Sequence, residues 1–358
     1  MKFFKAFLVV LVPLATACVV GIDPPPATER VLVTGGIFPF GSELVCTPAS
    51  AVKERTCEDG LSGYPKVYPT VDVELKPFMA DIHEVTNAQY RYCVEMGSCP
   101  LPKFGNTQNI EFYWDNPMYA DYPVINITQA SAEAYCNFMD GRLPTEIEWE
   151  RMAGGPGTLE RPKRVYPAEN LTWKMLSQCR SKLQDINVAF CANRGNPEQV
   201  MKSDNDYVLE NGKKIFDLAG NVAEWVSGGY VEGVTCQETL DECDCWACTD
   251  DNCRANCYTT CTACSEAGDA CHVVCADAGL GLGLPVCLKY TDPVKPADLF
   301  EKGKNGMRLA KGGDYEVDVG QSCRVAVASR LRVFKSIDDI SPTTGFRCVA
   351  DVATEGSE

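Results

Sequence analysis

Short stretches of the chain alternate apolar with polar residues. Residues 66–75 show this best, because four apolar side chains fall on one face there: Val67, Val71, Val73 and Leu75. A period of two is typical of a half-buried β-strand. Residues 31–33 and the mostly apolar run 324–333 are further strand candidates.

Three threonines mark predicted helix starts. Thr86 with Gln89, and Thr145 with Glu148, have the spacing of capping boxes, in which the threonine oxygen accepts from an amide of the first turn and the N3 side chain reaches back. Thr128 is a candidate cap for a helix between them. A glycine follows each predicted helix, and glycine ends helices readily. Short helices, short strands and many turns indicate an α+β fold with much irregular structure.

Residues 1–17 have the pattern of a secretory signal, with a basic start, an apolar core over 7–14 and small residues at the end. The core is shorter than the roughly 20 residues of a membrane-spanning helix. Cys18 follows at once, where bacterial lipoproteins carry their lipid. Two interpretations stay open. The protein is either an outer-membrane or cell-surface lipoprotein with a tether at 18–30, or a soluble periplasmic or secreted protein after plain cleavage.

Charge narrows the choice of partner. The chain has 33 basic and 49 acidic side chains, a net charge of −16, and removal of 1–17 takes away two lysines, which gives −18. An acidic surface argues against nucleic acid or anionic lipid as a partner. Membrane contact is therefore expected only through a lipid on Cys18.

Cysteine is abundant. The chain has 21 cysteines, and setting Cys18 aside leaves 20, an even number that can pair completely. In an exported protein we expect disulfides. Eleven cysteines lie in residues 231–290, which we interpret as a disulfide-rich insertion. The alternative for this segment is a zinc site on two C-x-x-C pairs, at 245–248 and 261–264.

Five segments occur in an order that matches one known family. They are GGIFPFG at 35–41, EVTNAQY at 84–90, GRLPTEIEWE at 141–150, DLAGNVAEW at 217–225, and a glycine pair at 312–313 that precedes GFRC at 345–348. These segments resemble motifs of the formylglycine-generating-enzyme (sulfatase-modifying factor) family. The resemblance implies a single irregular, C-type-lectin-like α+β domain over 31–352 that carries the insertion, followed by a polar tail at 353–358.

The resemblance also implies a degenerate active site. In active members, two cysteines after the glycine pair bind copper as thiolates, the soft ligands that Cu(I) requires. Here those positions hold Val317 and Ser322, and Cys323 is one residue out of register, which reverses the side-chain face in a strand. The motif serine is Asp314 and the motif tryptophan is Ala223. Copper is therefore not expected.

Calcium is the cofactor that the resemblance implies. Its ligands would be the Asp217 and Glu224 carboxylates with the carbonyl oxygens of Gly220 and Val222. Hard oxygen ligands suit Ca²⁺. In the alternative interpretation, this segment is a tight turn and Glu224 is a buried salt-bridge partner.

One disulfide, Cys136–Cys348, is implied by the resemblance. Proximity in sequence suggests three more pairs, at 46–57, 93–99 and 179–191. Since the insertion has an odd number of cysteines, Cys323 is left as the candidate that staples the insertion to the domain across the former cleft.

His83 stands just before the first capping box. Either it is a catalytic base or it is a surface residue at the helix entry, and the second role is the prediction. The chain has two histidines in all, so the His cluster of the family's iron-dependent branch is excluded.

The sequence thus predicts a non-catalytic binding or structural module of the cell envelope that contacts protein or glycan. The first alternative is a copper-dependent formylglycine-generating oxidase that acts on sulfatase cysteines with thiols from elsewhere in the chain. The further alternative is a scaffold of an envelope machinery.

Overall fold

The computed structural model describes most of the domain outside the insertion. The described residues are 28–41, 71–158, 161, 163–164, 166–169, 195–204, 206–229, 234–235, 271–276, 286–291, 307–316, 333–336 and 338–352. Among them, no helix combines the length and apolar character that crossing a membrane requires.

Three α-helices form where the capping threonines predict them. They are α1 (Asn87–Glu95), α2 (Gln129–Phe138) and α3 (Glu146–Gly154), and a short 3₁₀ helix covers Pro117–Tyr119. Both predicted capping boxes are present, because Gln89 and Glu148 each reach back to the amide of their capping threonine.

Fourteen strands are defined in the described residues. They are β1 (Arg30–Val33), β2 (Gly36–Phe40), β3 (Val71–Leu75), β4 (Phe78–Asp81), β5 (Tyr207–Glu210), β6 (Lys213–Phe216), β7 (Ala223–Gly229), β8 (Val234–Thr235), β9 (Cys271–Ala276), β10 (Val286–Thr291), β11 (Met307–Lys311), β12 (Val333–Ser336), β13 (Thr344–Gly345) and β14 (Val349–Asp351). The strands predicted at 31–33 and 71–75 are confirmed. Residues 66–70 and 324–332 lie outside the described residues.

Two small sheets carry the centre of the domain. In one, β4 lies between β1 and β14, with Val31 and Val349 both opposite Ala80. In the other, the order is β12-β11-β7-β13, and β13 runs parallel to β7. Two further pairs, β2-β3 and β5-β6, form two-stranded sheets. Many short strands with few helices confirm the α+β class.

Helix α3 joins the two central sheets. Its Trp149 and Met152 are fully buried and pack with Val31, Phe78 and Leu309 in one apolar cluster. Burial of such side chains contributes roughly 1.5–3 kcal/mol each. The helix thereby fixes β7, and the turn that leads into it, against the rest of the core.

Three strands within or adjoining 231–290 form a separate sheet in the order β8-β10-β9. Six residue pairs join β9 to β10, from Val286↔Ala276 to Thr291↔Cys271. The cysteine pattern predicted a stapled loop, and this ordered backbone pairing was missed because cysteine spacing carries no strand period.

Candidate functional site

A turn of unusual backbone conformation leads from β6 into β7. Asp217, Gly220 and Asn221 all have left-handed φ angles, of 59°, 115° and 57°. Glycine and asparagine adopt this region more readily than other residues. The turn therefore presents side chains and amides of 217–222 toward the buried centre of the domain.

Glu224, at the start of β7, is bound by a buried arginine. Arg347 Nε lies 2.9 and 2.8 Å from the two Glu224 oxygens, and Arg347 Nη2 donates to Oε1 at 2.6 Å. Trp149 Nε1 donates to Oε2 at 2.8 Å. Burial alone would lower the pKa of Arg347, but Glu224 raises it above the ordinary value. Both oxygens of Glu224 are thus committed to this pair.

Glu84 accepts two hydrogen bonds from the turn that leads into β7. Its Oε2 accepts from Asn221 Nδ2 at 2.6 Å and its Oε1 from the amide of Val222 at 3.1 Å. Burial, followed by the charges of Asp217 and Glu224, raises its pKa well above the ordinary value. Glu84 belongs to the EVTNAQY segment, but nothing in that segment alone signals this partner.

Asp206 and Asp217 are two further buried carboxyl groups, and the amide of Asp217 donates to the carbonyl of Asp206 at 3.2 Å. Asp217 Oδ2 accepts from the amide of Met201 at 2.7 Å. Asp206 accepts from the Ala219 amide, whereas its Oδ1 is buried without a hydrogen-bond partner. Burial raises both pKa values, that of Asp217 to about 6, and Asp217 raises that of Asp206 further.

The structure describes all four residues that the resemblance implies as calcium ligands. Glu224 is the buried salt-bridge partner of the alternative interpretation, while Asp217 lines a cavity of about 10 Å³. Gly220 and Val222 lie in the turn, and the Val222 amide is bound to Glu84. In the described part of the chain, no three His, Cys, Asp or Glu side chains are grouped to hold a metal.

The loop after β11 lies against this turn. Gly312 has a φ of 93°, and a Cβ there would lie 3.1 Å from the Trp149 ring. The Tyr315 amide donates to the Asn221 carbonyl at 2.9 Å, and the Tyr315 hydroxyl donates to the Pro342 carbonyl at 3.0 Å. The segment that begins at the glycine pair is therefore held close to β7.

Two of the degenerate positions are described. Asp314 is partly buried, and its Oδ1 accepts from the amide of Glu316 at 2.9 Å, which forms a local turn. Ala223 is fully buried, and its amide donates to the Thr343 carbonyl at 2.9 Å. Four other predicted site residues lie outside the described residues: Cys18, Val317, Ser322 and Cys323.

Every cysteine whose side chain is described is in a disulfide. Cys136 of α2 is joined to Cys348, which precedes β14, and Cys93 is joined to Cys99. The first pair is the one that the family resemblance implies, and the second is one of the pairs suggested by proximity. The pairs at 46–57 and 179–191 lie outside the described residues.

A buried lysine was missed by the sequence reasoning. Lys311, directly before the glycine pair, lies 3.4 Å from Glu146 Oε1 and 3.3 Å from Glu150 Oε2. Its Nζ also lies 5.7 Å from the Trp149 ring centroid. The signal was available, since Glu146 and Glu150 are spaced four apart on α3 and so share one helix face.

His83 is buried and not on the surface as predicted, with 7% of it exposed. The segment around it is hydrogen-bonded on both sides, by the Phe216 amide to Ile82 and by the Val85 amide to Phe346. Its Nδ1 lies 2.6 Å from the Glu84 carbonyl, and burial lowers its pKa. The prediction was wrong because helix entry alone does not reveal these long-range contacts.

Tyrosine side chains gather beside the loop that contains Tyr315. Tyr113 and Tyr315 are buried in one apolar cluster, against which Tyr119 and Tyr122 pack while partly exposed. Tyr119 and Tyr122 meet edge to face, with ring centroids 5.1 Å apart. Two partly exposed rings therefore pack against the cluster that contains Tyr315.

Comparisons with known proteins agree with the motifs. The family model described as a sulfatase-modifying factor enzyme 1-like domain matches residues 19–352. The chain is 23% identical over 264 residues to the formylglycine-generating enzyme of Bos taurus, covering 63% of this chain and 65% of that one. It is 27% identical over 200 residues to inactive C-alpha-formylglycine-generating enzyme 2 of Bos taurus, covering 45% and 63%.

Another relative is named serine/threonine-protein kinase pkn1, from Chlamydia caviae. It is 27% identical over 220 residues, which cover 58% of this chain and 29% of the relative, so the chain spans under a third of that protein. The structure of PvdO from Pseudomonas aeruginosa matches with a TM-score of 0.50 at 16% identity, covering 91% of this chain and 95% of that one. This likeness confirms the fold.

Proposed function

The chain belongs to the sulfatase-modifying factor enzyme 1-like family, and we propose that it is a non-catalytic member that serves as a binding or structural module of the cell envelope. One relative is named formylglycine-generating enzyme and another is named inactive C-alpha-formylglycine-generating enzyme 2, so membership alone does not decide activity. The proposal therefore rests on the residues of the site.

The observation that carries the proposal is the loss of the paired thiols. The two positions that match the copper ligands are Val317 and Ser322, whose side chains cannot supply thiolates. All four cysteines with described side chains are in disulfides, so they cannot replace the missing copper-binding thiolates. The Asp314 carboxylate accepts a hydrogen bond from the nearby amide of Glu316. The buried Ala223 stands where the family motif has a tryptophan, so that ring is missing.

An activity assay tests this proposal. The protein without residues 1–17 is incubated with Cu(I), oxygen and a sulfatase peptide that contains the target cysteine, beside an active family member. We expect no oxygen consumption beyond that of a protein-free control and no peptide mass that corresponds to formylglycine. Conversion of the peptide cysteine to formylglycine would show that the chain is an oxidase with thiols drawn from elsewhere, such as Cys323.

We propose that the surface formed by Tyr119 and Tyr122 contacts a protein or glycan of the envelope. Tyr119 and Tyr122 offer partly exposed rings for stacking, and both pack against the cluster that contains Tyr315. In a binding assay with purified envelope glycan, Tyr119→Ala with Tyr122→Ala should weaken binding. The control is Tyr207→Ala, another partly exposed tyrosine. Equal binding by all variants would remove this surface from the proposal.

Anchoring by a lipid on Cys18 is the proposed route to the outer membrane or cell surface. In cells fed a labelled fatty acid, the protein should carry label and fractionate with membranes. Cys18→Ser should lose the label and become soluble. Absence of label from the unmodified protein would instead indicate a soluble periplasmic or secreted form.

A further inference from the structure

Three large apolar side chains are exposed in the segment between α1 and α2. Phe104, Phe112 and Met118 are 54%, 64% and 73% exposed. Single exposed apolar residues are common, whereas a group of them on one segment is typical of a binding surface. The parts of the segment that bear them are hydrogen-bonded to one another, because the Trp114 amide donates to the Gly105 carbonyl at 2.9 Å. We call these three residues the apolar loop surface.

The backbone at Phe112 is in an unfavourable conformation. Its φ is 57°, a left-handed value that bulky residues rarely adopt. The turn is fixed by two hydrogen bonds, from the Asn116 amide to the Phe112 carbonyl at 2.9 Å and from the Met118 amide to Asn116 Oδ1 at 3.0 Å. Core packing does not explain a strained residue whose ring faces solvent, so the strain indicates a function at the surface.

The segment that bears the apolar loop surface is acidic. Residues 101–122 include three acidic side chains, all exposed: Glu111, Asp115 and Asp121. The same residues include one basic side chain, Lys103, whose Nζ lies 5.9 Å from the Phe104 ring centroid. This cation–π contact shows that the Phe104 ring is accessible to an ammonium group. The segment therefore offers apolar contacts together with sites that attract cations.

We propose that the apolar loop surface docks a protein segment that presents apolar side chains together with lysine or arginine. This inference rests on the proposed binding function and names the class of its partner. Aromatic and methionine side chains are enriched at protein interfaces, and basic side chains complement the acidic ones of this segment. A glycan fits less well, because phenylalanine and methionine cannot satisfy the hydrogen bonds of sugar hydroxyls. The exposed carboxylates would repel an anionic bilayer.

Fluorescence anisotropy with the full chain tests the proposal. The probe is a labelled amphipathic peptide of leucine and lysine, and its counterpart has glutamate in place of every lysine. The chain should bind the lysine peptide and not the glutamate peptide. Phe112→Asn with Met118→Gln should weaken binding by at least about tenfold, and it should fold because asparagine tolerates a left-handed φ. The matched control is Ile37→Gln, at a residue of β2 that is 71% exposed, and it should leave the affinity unchanged.

Three results would overturn the proposal: no binding of the lysine peptide, equal binding of the two peptides, or equal affinity of the double variant and Ile37→Gln. Binding of phosphatidylcholine vesicles or of envelope glycan that only the double variant loses would also overturn it, since the surface would then recognise lipid or sugar. Should the double variant fail to fold, Met118→Gln alone must bind the lysine peptide more weakly than Ile37→Gln. None of these results bears on oxidase activity, which the sulfatase-peptide assay tests separately.

Discussion

Arg347 donates three hydrogen bonds to the carboxylate of Glu224 although 123 residues separate them, and both side chains are buried. The pair links the GFRC segment before β14 to the first residues of β7. It therefore ties the two central sheets together at the point where the family resemblance implies calcium.

Glu224→Gln should be strongly destabilising, because it leaves the Arg347 charge buried without a counter-charge. Breaking a buried pair in this way costs about 3–5 kcal/mol, which denaturant unfolding would measure. The matched control is Glu29→Gln, which breaks the exposed pair with Lys213 and should cost less than about 1 kcal/mol. Similar losses in the two variants would contradict the structural importance of the buried pair.

The two disulfides among the described residues should differ in their contribution to stability. Cys136–Cys348 closes 212 residues and Cys93–Cys99 closes 6. On loop entropy alone, their removal costs about 5 and about 2 kcal/mol respectively. Double alanine variants of each pair, compared by their free energies of unfolding, should rank in that order, and the reverse order would rule out the loop-entropy explanation.

Stability should fall as pH rises through the titration of Asp81. Burial raises its pKa from 3.8 to about 6, in spite of hydrogen bonds from Arg30 and the Cys348 amide. Between these values the folded protein holds a proton that the unfolded chain has lost, so this group's contribution is present at low pH and disappears above about pH 6. The change amounts to about 3 kcal/mol.

Unfolding free energies measured across that pH range check the assignment. Asp81→Asn should remove this component of the slope. An unaltered slope in Asp81→Asn would mean that the pKa of Asp81 is not raised.

Cys323 should be joined to a cysteine of the insertion 231–290. The insertion has 11 cysteines, so at least one of them must find its partner elsewhere if all are oxidised. Mass spectrometry of peptides cut without reduction would identify that partner. A free thiol at Cys323, or a bond from it to a cysteine outside the insertion, is incompatible with this prediction.

Local patterns predicted the local structure. The capping boxes at Thr86 and Thr145 were found from four residues each, because both partners of the interaction lie in one helical turn. The motif blocks then indicated the family fold. The contacts that build the site could not be found in this way, since Arg347 and Glu224 meet only after the sheets assemble.

Asp206 shows where the sequence carries no signal at all. It belongs to none of the motif segments, and its importance arises from burial and from its neighbour Asp217. The same holds for the sheet formed by β8, β10 and β9, because abundant cysteine obscures the alternation that marks a strand.

A titration of the purified, oxidised protein with Cu(I), against a coloured chelator of known affinity, tests the central claim most directly. Because Val317 and Ser322 replace the paired thiols, the account predicts that the chelator keeps its copper throughout. Withdrawal of one copper per chain from the chelator would contradict this prediction and would favour the alternative of a copper-dependent oxidase.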